Sequence, residues 1–182
     1  MLPLFFSVLI PPEINKGSIF NFNFISEKNL IAGEELTYVV SYSLLKLGEV
    51  RLKVRDKKII NGRNHYSVAA YIDSYDGIPF VNLHQIYESK INDEYFSEFF
   101  RGIVKGEDHT SFTEYYFDYE KSNVRVKKGR FNPSTTWTDS SGNLETQYQD
   151  GLSIFYYARM NSGKNKSEKI PCFVNEEKVF TS

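Results

Sequence analysis

The chain is predicted to fold as a mostly β domain: a curved antiparallel sheet, half-barrel or sandwich-like, with one packed α-helix. Three observations predict it. From Gly33 to Ile60 apolar and polar side chains alternate with period two, as on half-buried strands whose successive residues leave from opposite faces. Fifteen Phe and thirteen Tyr beside a single Trp raise the aromatic share to 16%, and both residues favour strands and bury large areas there. Only Asp150 to Asn161 has clear helical spacing.

The 182 residues suit one domain, large enough to bury roughly 70% of its unfolded surface without metals or disulfides. The 22 basic and 23 acidic residues nearly cancel, so no global field draws the chain to nucleic acid or anionic membrane, and any such binding must be local. A lone Cys172 excludes an intramolecular disulfide and a cysteine-based zinc site, and reads as a buried inert thiol. We divide the chain into a signal-like or connector segment, 1–32, and a single β-rich domain, 33–182. MLPLFFSVLI looks like the apolar core of an export signal, but no basic residue precedes it and no small-x-small cleavage site follows. It reads equally as a signal with a missed start or as an apolar arm laid on the domain. The run falls far short of the ~20 apolar residues that span a bilayer. From Pro11 to Gly33 the chain reads as a connector with one edge strand near Ile19 to Phe24.

A strand is expected over 35–45, where Leu36, Tyr38, Val40, Tyr42 and Leu44 share a face opposite Glu35, Thr37, Ser41 and Ser43. The pattern restarts over 48–60, with Val50, Leu52 and Val54 opposed to Glu49, Arg51, Lys53 and Arg55. Asn61-Gly62 readily takes the positive φ values of a tight hairpin turn and leads into a third strand, 64–74, carrying Tyr66, Val68, Ala70 and Ile72 on one face. From Asp76 to Ile91 the period is mixed: Phe80, Leu83 and Tyr87 suit a turn and a half of helix, while Tyr87 to Ile91 fits an extended chain equally. A strand over 95–105 has aromatics on both faces and reads as central. The next, 111–119, turns at Glu120 to Asn123 into a return strand over 123–129, and Pro133 to Asn143 reads as a polar surface loop. In the helix over 150–161, Asp150 is the N-cap, Gly163 lies just past the end, and Leu152, Phe155, Tyr156 and Arg159 form the stripe facing the sheet. Removing the Phe155 ring is therefore expected to cost ~3–5 kcal/mol. Cys172 to Val174 and Lys178 to Phe180 read as the arms of a last hairpin.

The segments GEELTYVVSYSLLKLGEVRLKV, YESKINDEYFSEFFRGIVKGED, FTEYYFDYE and DGLSIFYYAR, in this order, resemble the bacterial family labelled domain of unknown function 3108, from about Gly33 to Ser182. The resemblance implies a largely antiparallel β fold and export to the periplasm or outer envelope of a Gram-negative cell. It carries over no catalytic residue. Such proteins usually begin with a complete signal peptide and continue past the position of Ser182, so the resemblance implies a member short of strands on its C-terminal side. An unpaired edge and an apolar patch near Val179 and Phe180 would then promote self-association.

Candidate chemistry is sparse. His65, His84 and His109 are scattered, and only His84 with Glu88 would stand at i and i+4, on a helix, where a metal would still need a further ligand. No metal centre, catalytic residue or cofactor is expected. Ser153 in GLSIF lacks the second glycine of a nucleophile elbow and reads as a first-turn helix residue. Glu34-Glu35 and Glu176-Glu177 are adjacent, so on strands each pair faces opposite ways. Neither a dinucleotide-binding glycine motif nor a P-loop occurs. Arg125, Lys127, Lys128 and Arg130, joined by Arg51, Lys53 and Arg55, could form a positive stripe of the kind that binds single-stranded nucleic acid, but acidic neighbours favour solvent-facing sheet residues.

The aromatic excess has two readings. One is core packing. The other is a concave apolar groove between sheet and helix, lined by Tyr95, Phe96, Phe99, Phe100, Tyr115, Phe117, Phe155 and Tyr156, accepting an acyl chain or the apolar part of an envelope partner. The expected function is accordingly a non-catalytic cell-envelope protein whose partner is a lipid or an envelope protein, with no nucleic acid bound and no membrane span. The alternatives are an unrecognised hydrolase and, behind it, a nucleic-acid-binding module.

Overall fold

The computed structural model describes residues 30–42, 45–78, 82–162 and 168–181. Eight strands follow one another in up-and-down order: β1 (Glu35–Tyr42), β2 (Leu45–Ile60), β3 (Arg63–Ser74), β4 (His84–Ile91), β5 (Ser97–Lys105), β6 (Thr110–Asp118), β7 (Asn123–Arg130) and β8 (Thr135–Asn143). Each pairs antiparallel with the next, and the sheet stays open, with β1 and β8 at its edges. The helix α1 (Ser153–Asn161) and a hairpin of β9 (Ile170–Val174) and β10 (Glu177–Thr181) complete the described elements. The mostly β class holds, with one helix among the described residues.

The core lies on one face of the sheet because the period-two apolar rows all point there. Leu52, Val54, Tyr66, Val68, Phe100, Tyr115, Phe117, Val124 and Val126 form a floor, and Leu144, Tyr148, Leu152, Tyr156 and Phe173 from the later segments roof it. Between β2 and β3, Asn61 (φ 51°) and Gly62 (φ 78°) take the two left-handed positions of the expected tight turn. Gly48 is required for another reason: a Cβ there would collide with the Asp73 carbonyl oxygen on β3, whereas at Gly102 it would come 3.3 Å from the Tyr87 ring and ask that ring to give slightly.

Several expectations are corrected. The mixed segment before Ile91 forms no helical turn in its described part; His84–Ile91 is a strand. Its alternation was blurred because the inward-facing Ser89 is polar and Ile86, across from Tyr71 and Ile103, stands on the other face. Thr135–Asn143, expected as part of a loop, is the edge strand β8, and its Thr and Ser residues are polar because the strand is exposed along almost all its length. The strand over 95–105 begins only at Ser97, since Tyr95 has φ 68° in the turn before it.

The helix also differs. It starts at Ser153, after a backbone cap residue, Leu152, that has no side-chain cap bond of its own. Its buried side runs through Leu152, Ser153, Tyr156 and Met160, while Phe155 is 43% exposed and Arg159 pairs with Glu34 at the surface. The expected stripe was therefore rotated by about one residue, because a buried serine does not count in an apolar pattern. The assignments for residues 1–29, Ser43, Leu44, Phe80 and Gly163 lie outside the described residues.

This packing reverses the expectation for the helix. Leu152→Ala should cost ~2–5 kcal/mol, while Phe155→Ala should change stability by less than ~1 kcal/mol. Denaturant titration of the two variants against the parent measures both.

Candidate functional site

A β-bulge builds the polar centre of the molecule. Lys90 pairs with Phe99 and Ile91 with Ser97, so Glu98 is the extra residue and Ser97 turns to the core side together with Phe100. Ser97 and Ser89, both fully buried, aim their hydroxyls at the carboxylate of Asp150, which is itself 0% exposed. Ser97 donates to Oδ2 at 2.5 Å and Ser89 to Oδ1 at 3.0 Å. The amides of Leu152 and Ser153 donate to the same Oδ1, each at 2.7 Å, and the Ser153 hydroxyl accepts from the Asp150 amide at 2.7 Å. The N-cap role expected of Asp150 is thus present in substance, three residues ahead of the helix start and reciprocated by Ser153 as in a capping box. Ser153 is spent on this bond and sealed from solvent.

The strap that carries Asp150 is pinned on both sides. Ser97 donates its amide to the Tyr148 carbonyl at 3.0 Å, and the Tyr119 hydroxyl donates to the Ser97 carbonyl. Gln149 bridges to β9 in parallel: its amide donates to the Pro171 carbonyl at 2.9 Å, and Phe173 donates to the Gln149 carbonyl at 2.8 Å. The Gln149 carboxamide is fully buried and neither of its side-chain atoms has a hydrogen-bond partner among the described residues, a local cost of ~1–3 kcal/mol. Cys172 lies in the same layer, and burial pushes its thiol up to about 11, which leaves it inert as expected.

Desolvation raises the pKa of Asp150 above its ordinary value of 3.8, against the pull of four donors and with no cation among the groups that shift it. The sign follows. A folded-state pKa above the unfolded one means that the native state keeps the proton longer, so the stability linked to this group falls as pH rises from the ordinary carboxylate range through the folded value. Asp150→Ala should destabilise by ~3–5 kcal/mol, since two amides and two hydroxyls lose their acceptor in a dry site. Asp150→Asn should cost less than half as much, because its carboxamide oxygen still accepts and the Ser97 hydroxyl can turn to accept from the new NH2; it should also lack that pH slope. Urea melts at several pH values distinguish the three proteins.

Around this centre, aromatic rings pack on one another. Phe100 stacks on Tyr115 at 5.2 Å, and Phe173 stands edge-on to Tyr115 at 5.0 Å and to Phe117 at 5.8 Å. Burial pushes the Tyr115 hydroxyl up to about 12. Of the eight residues expected to line a groove, Phe100, Tyr115, Phe117 and Tyr156 meet in this core. Tyr95 packs against its edge, 6.1 Å from the Tyr66 ring, and Phe96 lies 5.8 Å from Tyr157. Phe99 stands on the other face of the sheet, 5.1 Å from Tyr116 and beneath Arg101, while Phe155 is turned outward. Strand parity separates Phe99 from Phe100, and the helix rotation removes Phe155.

The far face of the sheet is a lattice of paired charges. A single register row runs Glu35, Lys53, Ala69, Glu88, Arg101, Glu114, Lys127, Asp139 across all eight strands. Arg55 meets Glu88 at 2.5 Å, Arg101 meets Glu114 at 2.7 Å, and Arg125 meets Asp139 at 2.6 Å. The candidate basic stripe is therefore interleaved with acids, as solvent-facing sheet residues would be. His84 lies on a strand beside Asp73, 3.1 Å away, and Glu88 is engaged by Arg55, so the helical His84–Glu88 pair does not form. Among the described residues, a shallow cavity of about 250 Å³ opens at the edge of the core beside Tyr119, Leu144 and Glu145, and one of about 400 Å³ lies on the far face at Tyr116, Lys121 and Arg125.

A family model described as a protein of unknown function, DUF3108, matches residues 37–180. No curated protein and no solved structure matches the chain.

Proposed function

The chain belongs to the DUF3108 family, and we propose that it works in the cell envelope as a non-catalytic binding module, holding an acyl chain or the apolar part of an envelope partner on the core-side face of its sheet. The observation that carries this reading is that the described residues roof only part of this face. One nine-residue helix and a hairpin of two five-residue strands lie over a sheet of eight strands. Beneath them the rings are buried, but the same face continues toward the β3–β4 end through the register row Val50, Ile72, Gln85 and Val104. There burial declines: Val50, Ile72 and Gln85 are half-buried, and Val104 is exposed. Next to this row, Tyr87 lies over Gly102 with its hydroxyl donating to Gln85. An apolar floor with one such polar handle suits a ligand that is mostly hydrocarbon.

Fluorescence titration with a dansylated fatty acid tests the reading. The parent should bind it saturably. Ile72→Glu should weaken binding about tenfold or more, because a carboxylate on the floor must be desolvated by the ligand, whereas Ile72→Val should bind as the parent does. Absence of binding by the parent, or equal binding by both variants with unchanged unfolding midpoints, overturns it.

A further inference from the structure

The β2–β3 hairpin outruns the sheet. β1 leaves β2 at the Glu35–Lys53 pair, and β3 leaves β4 at the Tyr66–Ile91 pair, yet β2 and β3 stay paired out to Ile60 and Arg63. Residues 57–65 therefore form a two-stranded ribbon with no strand paired on either side among the described residues. It projects about 10 Å at ~3.4 Å per residue, and the Asn61-Gly62 turn closes it.

Its tip has an unusual composition. Ile59 is 73% exposed and Ile60 49%. Being adjacent on one strand, they leave from opposite sides of the ribbon, so each side of the tip carries one exposed isoleucine, Ile60 beside its cross-strand neighbour Arg63 and Ile59 beside Asn64. Lys57 and Lys58 stand just behind, Arg63 lies level with Ile60 across the ribbon, and all three are exposed. Lys57 and Lys58 also alternate sides, so the cations form a collar. The acid in this stretch of β2 is Asp56, 3.5 Å from Lys58, which leaves a positive excess.

We propose that this hairpin is a membrane-contact finger, which buries Ile59 and Ile60 among the lipids of an anionic bilayer surface while Lys57, Lys58 and Arg63 meet the headgroup phosphates. The two-sidedness decides between occupants. A protein face laid against the ribbon would cover one isoleucine and leave the other wet, whereas the boundary of a bilayer is apolar around the whole tip. Lysines set back from the isoleucines match the step from acyl region to phosphate layer, and the long stem of Arg63, level with Ile60, lets its charge reach back to the same headgroups. The near-neutral net charge of the chain does not oppose this, since the attraction is local and falls off within a Debye length. The finger is separate from the proposed ligand floor, and neither inference depends on the other.

Cosedimentation with vesicles tests it. The full chain should sediment with phosphatidylglycerol–phosphatidylethanolamine vesicles and bind phosphatidylcholine vesicles about tenfold less, with binding to the anionic ones declining as salt rises. I59S/I60S and K57Q/K58Q/R63Q should each weaken anionic-vesicle binding about tenfold or more with an unchanged circular dichroism spectrum, because every altered residue is exposed. Failure of the parent to sediment with anionic vesicles overturns the proposal, as does vesicle binding that neither variant reduces. Finger-dependent capture of an envelope protein without vesicle binding would assign the tip to a protein instead, and overturns it too.

Discussion

A carboxylate shut away from water has to be given donors, and this requirement organises the centre of the fold. Asp150 draws two hydroxyls from the sheet and two amides from the start of the helix onto its oxygens. Meeting it demands a serine in the inward row of β4, a bulge that turns Ser97 inward on β5, and a helix that enters end-on above both. The strap that delivers Asp150 then bonds to β9 through Gln149. Helix, strap and hairpin are thereby tied to the middle of the sheet by a few directed bonds, beyond the non-directional burial of aromatic surface around them. A buried ionisable group contributes little net stability by itself. Here its clearest effect is to fix where the roof sits.

The two faces of the sheet use different physics. On the core side, ring against ring excludes water and gives an apolar floor that thins out toward one end. On the far side, acids and bases alternate along a row perpendicular to the strands, broken at Ala69, so that each charge in it has an opposite neighbour on an adjoining strand. Exposed pairs of this kind are individually worth little. Collectively they keep a broad sheet face wet and discourage a wrong register, because a slip of one residue would move charges into the core. Against this balanced background, the projecting end of β2 and β3 stands out as a place where cations outnumber acids and two isoleucines are exposed.

Most of the sheet was legible because its strands advertise themselves with period two: Leu52 and Val54, Tyr66 to Ala70, Tyr115 and Phe117 are apolar on one side and polar on the other. What could not be read has a common cause, namely polar residues inside. Ser89 hid β4, Ser153 rotated the apparent stripe of α1, and Ser97, which alternation alone would put on the side of Phe99 and Arg101, is turned to the other side by the bulge. A bulge leaves no mark in the alternation of one strand, since it is a property of the pair. β8 was missed for the opposite reason, being an edge strand too exposed to need apolar residues. Asp150 could be recognised as a helix cap, but its burial depends on strands some 50 to 60 residues away in sequence, which no local pattern contains.

Native-state hydrogen exchange tests most directly whether the Asp150 node makes roof and sheet one cooperative unit. The amides of Leu152 and Ser153, held by the carboxylate, and that of Phe173, held by Gln149, should exchange through the same global opening as Tyr115 in the centre of the sheet, with equal free energy and equal denaturant dependence. Exchange of the first three through a distinctly easier opening, while Tyr115 stays protected, would show that the helix and hairpin lift off independently and would contradict the account.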